Sequence, residues 1–132
     1  MSTTIRDIIE KSARGEISYP VFASRLREAG VRRYEVDVAR HTAVYEGTGE
    51  PLTLQGPEID PDGTAAPFHQ PGLREAILAN QRREIDYQQF LERIWRSGVT
   101  RYAVDLEART VTYRGENSEA YEERIPDVPA AG

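Results

Sequence analysis

The sequence predicts an α+β domain in which an α-α-β-β(-β) unit is duplicated, with the two copies related by a pseudo-two-fold and helices packed on antiparallel hairpins. Three observations predict it. Residues 5–47 align without a gap on residues 73–115, and 17 of the 43 pairs are identical. Within each unit the apolar spacing switches from a helical period to a period of two. Glycines and prolines punctuate both units at corresponding places. Self-similarity of this kind marks an internal repeat, and two copies are too few for a solenoid, so a closed pair is expected. The units span 4–56 and 72–126 of a single domain, 1–126, joined by a linker at 57–71 and followed by a frayed tail at 127–132.

The first helix of each unit is expected over Ile5–Ala13, with Thr4 as N-cap, and over Leu73–Gln81, opened by "QPG". The second helices start at Ser18 and Asp86, both good N-caps, and Asp86 with Gln89 forms a capping-box pattern. Pro20 sits in a first turn, where a missing N–H costs little. Tyr87, Phe90, Leu91, Ile94 and Trp95 recur at helical spacing, as do Tyr19, Phe22, Leu26 and Ala29, and read as a core stripe. Gly30 and Gly98 stand where a left-handed residue ends the helix, with Val31 and Val99 as the apolar residue that follows.

Beyond those glycines Tyr34, Val36 and Val38 share one strand face, and so do Tyr102, Val104 and Leu106. The return strands run Thr42–Glu46 and Thr110–Arg114. A four-residue loop pairing Asp37 with Thr42 sets Tyr34 against Tyr45 and Val36 against Ala43, and the apolar faces then agree in both units. "PLTLQ" and "AYEERIP" read as third strands. Residues 57–72 read as irregular connection.

Composition narrows the function. The net charge of −5 argues against a nucleic-acid partner. No apolar run approaches a membrane span, and the N-terminus lacks a signal-peptide core, so no membrane partner and a cytoplasmic location are expected. Without cysteine there is no disulfide, thiol nucleophile or thiolate metal site. His41 and His69 lack companion ligands at metal spacing, and no phosphate-binding glycine loop or nucleophile elbow occurs, so neither a metal nor a cofactor is expected. "DPDG" at 60–63 reads as a turn, since the glutamate that closes a calcium loop is missing.

Asp37 and Asp105 resemble a catalytic carboxylate pair at first sight. The alternation turns both away from the tyrosine face, beside hairpin loops, where a carboxylate closes the turn by accepting loop N–H groups or the threonine hydroxyl. Arg33 faces Glu46, while Arg101 faces Arg114 and, with Arg109, forms at most a small basic patch. Tyr34, Tyr45, Tyr102 and Tyr113 share the inward face. Where the copies meet they can line a cleft with an apolar floor and polar rim, joined by His69 beside Phe68, and this is the candidate binding site.

The second unit, "NQRREIDYQQFLERIWRSGVTRYAVDLEARTVTYRG" with the later "EERIP", resembles the YbcV-like family of phage-associated bacterial proteins of unknown function. Gln81, Asp86, Tyr87, Phe90, Gly98, Val99, Asp105, Thr110, Tyr113, Glu123, Ile125 and Pro126 match its pattern. Asn80, Arg83, Leu91, Val111 and Tyr102 replace the family's histidine, glycine, two cysteines and tryptophan. The resemblance implies a duplicated α+β domain and no particular activity. The expected function is a non-enzymatic module binding an unknown small molecule or protein. The alternatives are a small enzyme drawing acid/base groups from Asp37, Asp105, Tyr113 or His69, and a homodimer through exposed strand edges.

Overall fold

The computed structural model describes residues 2–47, 49–60 and 62–125, so Pro126 and the tail at 127–132 lie outside the described residues. The chain runs α1 (Ser2–Ala13), α2 (Tyr19–Glu28), β1 (Val31–Asp37), β2 (Thr42–Gly47), β3 (Leu52–Gln55), α3 (Gln70–Gln81), α4 (Tyr87–Arg96), β4 (Val99–Asp105), β5 (Thr110–Gly115) and β6 (Ala120–Arg124). The strands form one antiparallel sheet in the order β3-β2-β1-β4-β5-β6. α2 packs on β1 and α4 on β4, so the helices cover one face and the core lies between the two layers.

Two helix starts differ from the sequence expectation, and one expected cap makes no side-chain bond. α1 begins at Ser2 and takes in Thr4, since no glycine or proline in this stretch breaks the turn. α3 begins at Gln70 rather than Leu73. Pro71 pre-sets its first turn, and the imidazole of His69 takes the cap position, with Nδ1 accepting the Gly72 N–H at 3.0 Å. Ser18 occupies the N-cap of α2, yet its side chain accepts no N–H. Asp86 builds the full capping box on α4, accepting the Gln89 N–H at 2.8 Å while the Gln89 side chain accepts the Asp86 N–H at 2.9 Å.

Both second helices stop at a left-handed glycine, Gly30 at φ 99° and Gly98 at φ 89°. The valines that follow are buried, at 3% exposure for Val31 and 0% for Val99. Tyr34 then faces Tyr45, Val36 faces Ala43 and Asp37 faces Thr42, with Tyr102–Tyr113, Val104–Val111 and Asp105–Thr110 in the second unit. This is the predicted register, and it buries all eight of these inward apolar and tyrosine side chains.

The two halves join through β1 and β4, with Arg33 facing Asp105, Glu35 facing Ala103 and Asp37 facing Arg101. Positions 35 and 103 correspond in the sequence alignment, so the register is symmetric about that one pair. The seam also gives one arginine on the sheet's open face a partner. Arg101 stands opposite Arg114 in the β4–β5 register, as expected, and its guanidinium meets Glu35 across the seam at 3.4 Å, while Arg33 faces Glu46 at 3.9 Å. These pairs are exposed, and each contributes under about 1 kcal/mol.

The aspartates sit on that open face, at opposite ends of the seam. Asp105 accepts the N–H groups of Glu107 and Ala108 at 3.0 and 2.9 Å. Among the described residues Asp37 accepts one N–H, that of Arg40 at 3.4 Å, and pairs loosely with the Arg40 guanidinium at 3.7 Å. The expected result is asymmetric: Asp105→Ala lowers unfolding stability by about 1 kcal/mol, and Asp37→Ala by less than about 0.5 kcal/mol. Urea denaturation checks it, and equal losses at both positions would contradict the two geometries.

The described residues of the connection from 56 to 69 form no strand, and it is tied down at both ends. Ile59 and Asp60 both donate their N–H to the Ala39 carbonyl, at 2.9 and 3.0 Å, and Trp95 Nε1 donates to the Asp60 carboxylate at 3.1 Å. His41 Nδ1 lies 3.0 Å from the Pro57 carbonyl, which can only accept, so that nitrogen carries the proton. The His69 N–H donates to the Ser97 carbonyl at 2.8 Å.

Candidate functional site: a tyrosine-floored cleft

Each pair of helices turns back on itself through a residue in the left-handed region, Gly15 at φ 73° between α1 and α2 and Arg83 at φ 60° between α3 and α4. These positions correspond in the two units. Glycine adopts this conformation freely, whereas arginine is strained there by roughly 1 kcal/mol. The Arg83 guanidinium donates to the Gly15 carbonyl, and this contact ties the two turns together.

Beneath the turns opens a cleft of about 410 Å³. Its floor is Phe90 of α4 with Tyr102, Val111 and Tyr113 of the sheet. Its rim is polar, with Ser12, Asn80, Gln81 and Asp86 from the turns and Glu123 from β6.

The tyrosines form two matching clusters. The hydroxyls of Tyr19 and Tyr34 lie 3.0 Å apart, and those of Tyr87 and Tyr102 are hydrogen-bonded in the same way. Tyr34 packs against Tyr45 with ring centres 5.1 Å apart, and Tyr102 against Tyr113 at 5.5 Å. An edge contact between Tyr34 and Tyr102, at 6.4 Å and 76°, joins the clusters across the seam. Phe22 and Phe90 each meet a strand tyrosine edge-on, in the arrangement that aromatic quadrupoles favour.

Burial dominates the electrostatics. It pushes the Tyr19 hydroxyl up to about 12, and raises those of Tyr34, Tyr45, Tyr87, Tyr102 and Tyr113 well above the ordinary 10.0. For Tyr113, the neighbouring Tyr19 hydroxyl and Glu123 carboxylate add to the rise. At neutral pH these groups are hydrogen-bonding phenols and not phenolate bases. Glu123 accepts the Tyr121 hydroxyl at 2.5 Å, and this bond is the main reason the more exposed Tyr121 is also raised.

Of the residues the sequence singles out, Tyr102 and Tyr113 line the cleft, while Tyr34 and Tyr45 stand behind them in the continuous aromatic layer. His69 does not join them, because its ring is committed to the N-terminus of α3, beside Ser97. Asp37 and Asp105 lie on the opposite face of the sheet, so the acid/base set of Asp37, Asp105, Tyr113 and His69 is not brought together. Tyr19, Tyr87 and Glu123 are the site residues that sequence reasoning missed. The helical tyrosines are identical between the units and fall within the core stripe, which conceals their hydroxyls; Glu123 alternates inward on an edge strand whose register the sequence does not set.

Residues 68–124 match the model of a family described as a protein of unknown function, DUF1398. Over 115 residues, 86% of this chain, the sequence is 36% identical to Uncharacterized protein Rv2012 of Mycobacterium tuberculosis, covering 70% of that protein. Uncharacterized protein Mb2035 of Mycobacterium bovis matches with the same identity and coverage. The chain belongs to the family of these mycobacterial proteins. The matched residues, 68–124, supply the α3–α4 turn and the strands β4, β5 and β6. Tyr102, Tyr113 and Glu123 therefore all fall within the matched segment, while Tyr19 and the α1–α2 turn fall outside it. No helix among the described residues is long and apolar enough to cross a membrane.

Proposed function

We propose that the chain is a non-enzymatic binding module for a small molecule, and that the cleft between the helical turns and β4–β6 is its site. The observation that carries this reading is the pairing of an aromatic floor with a polar rim around about 410 Å³, a size that suits a small ligand. The phenols are held protonated, which suits them to orienting a ligand by hydrogen bonds. The finer reading is a YbcV-like, duplicated cytoplasmic protein. It is supported by the matches from Gln81 to Ile125, by the gap-free alignment of the two units and by the absence of cysteine.

A thermal-shift screen across metabolites, nucleotides and metal ions tests the proposal, with Asn80→Trp as a variant that fills the cleft mouth. At a hundred times its dissociation constant, a ligand stabilises by about 2.7 kcal/mol, or a rise of roughly 10 °C in a domain of this size. The expected result is such a rise in the native chain and its loss in Asn80→Trp. A screen with no rise, or a rise equal in both proteins, overturns the proposal.

A further inference from the structure

Resting on that binding reading, the chemistry of the cleft narrows what fills it. Its lining carries five aromatic side chains, Phe90, Tyr102 and Tyr113 with Tyr19 and Tyr87 from the starts of α2 and α4, beside aliphatic ones such as Ile17, Ile85 and Val111. The face of an aromatic ring is its negative pole, and rings gathered round one space attract cations. Tyr19, Tyr87, Tyr113 and Glu123 all line this one cleft.

The charged groups of the lining divide in the same direction. Arg14 is held by Glu16 at 2.7 Å, and Arg83 donates to the Gly15 carbonyl. Arg124 is exposed, at a β6 position that pairs with Thr110 on the side turned away from the helices. The carboxylate of Asp86 is taken up by the cap of α4. Glu123 differs from all of these. It is half-buried on the helix side of β6, opposite Val111, where it holds the Tyr121 hydroxyl. Among the described residues it forms no ion pair with a lysine or arginine. A half-buried carboxylate beside aromatic rings is thus without an ion-pair partner among the described residues, although the Arg74 charge is felt at the Tyr121 hydroxyl it holds.

We infer that the cleft takes a small organic cation, a protonated or methylated amine, seated against the aromatic rings with its charge toward Glu123. The rings contribute cation–π attraction, the phenol oxygens accept N–H donors where the amine carries them, and Glu123 supplies the counter-charge. An anion would meet this carboxylate, and two of the lining's guanidinium groups, Arg14 and Arg83, are already engaged.

Calorimetric titration of the whole chain tests the inference. The cationic probes are choline, tetramethylammonium and butylammonium; the others are 3,3-dimethylbutan-1-ol, the uncharged isostere of choline, and benzoate. The expected result is that at least one cation binds, and that choline binds about tenfold or more tighter than its isostere. Glu123→Gln should bring that ratio within about twofold while the melting temperature stays close to that of the native chain. Glu122→Gln, on the open face of the same strand, should leave the ratio unchanged. Binding of the isostere or benzoate as tightly as choline overturns the cation preference and leaves the binding module standing. Failure of every cation to bind overturns it as well, and the Asn80→Trp screen then judges the binding module separately.

Discussion

Raising the pH above 10 is expected to unfold the protein in one cooperative step, with its buried tyrosines ionising together. Tyr34, Tyr45, Tyr102 and Tyr113 are between 3% and 8% exposed, and burial raises the pKa of each above the ordinary 10.0. Below pH 10 both states keep the phenol proton, so the whole contribution to stability is present. Above it the unfolded chain releases protons that the folded chain retains, and stability falls until the folded pKa is reached. Each such tyrosine removes about 1.4 kcal/mol by pH 11. Four remove on the order of 5–6 kcal/mol, comparable to the whole stability of a small domain. Tyr19 adds to the loss until its own pKa near 12.

Tyrosinate absorbance followed alongside circular dichroism checks this. Tyr121, on the edge strand β6 and raised by its bond to Glu123 rather than mainly by burial, titrates first, and the others jump together as helical signal disappears. Tyr45→Phe and Tyr113→Phe should move the midpoint to higher pH, since each removes one ionisable group from the unfolded state. Gradual ionisation of all the tyrosines with the fold intact would show that the cluster is open to water.

The second large effect belongs to Gly98. An added Cβ there would lie 2.5 Å from the Phe68 Cα and 2.6 Å from the Pro67 carbonyl oxygen, both rigid main chain. The position also has φ 89°, which no L side chain adopts comfortably. Strain and displacement together put the cost of Gly98→Ala at about 3 kcal/mol or more. The damage should spread to the bond from the His69 N–H to the Ser97 carbonyl, seen as lost amide protection at His69. Gly49→Ala is the control, because its Cβ would meet nothing within 4 Å, and its cost should stay within about 0.5 kcal/mol. A loss below about 1 kcal/mol for Gly98→Ala would mean that the linker moves aside freely.

What the sequence makes legible follows from how local each feature is. The switch from a helical to a two-residue period, the glycine stops and the hairpin register each depend on residues a few positions apart, and all are found where expected. Partnerships between distant segments were not readable. Nothing in Arg101 announces that Glu35 will be its partner, or that His69 will turn its ring onto α3 instead of the cleft. The cleft was half legible. Alternation set Tyr102 and Tyr113 inward, but Tyr19, Tyr87 and Glu123 reach them only through the packing of α2 and α4 and the pairing of β6.

The seam between β1 and β4 also shapes how the chain must fold. Every other strand pair joins neighbours in sequence through a short turn, whereas this one brings together residues 35 and 103. Hairpins close quickly, and closing a loop of that length costs more entropy before any contact repays it. The two halves are therefore expected to assemble early as separate pieces, with formation of the central pair setting the rate. Until it forms, β1 and β4 each present an unpaired edge, and another molecule's half offers the same edge. The slowest step in folding is thus also the step most open to exchange between chains.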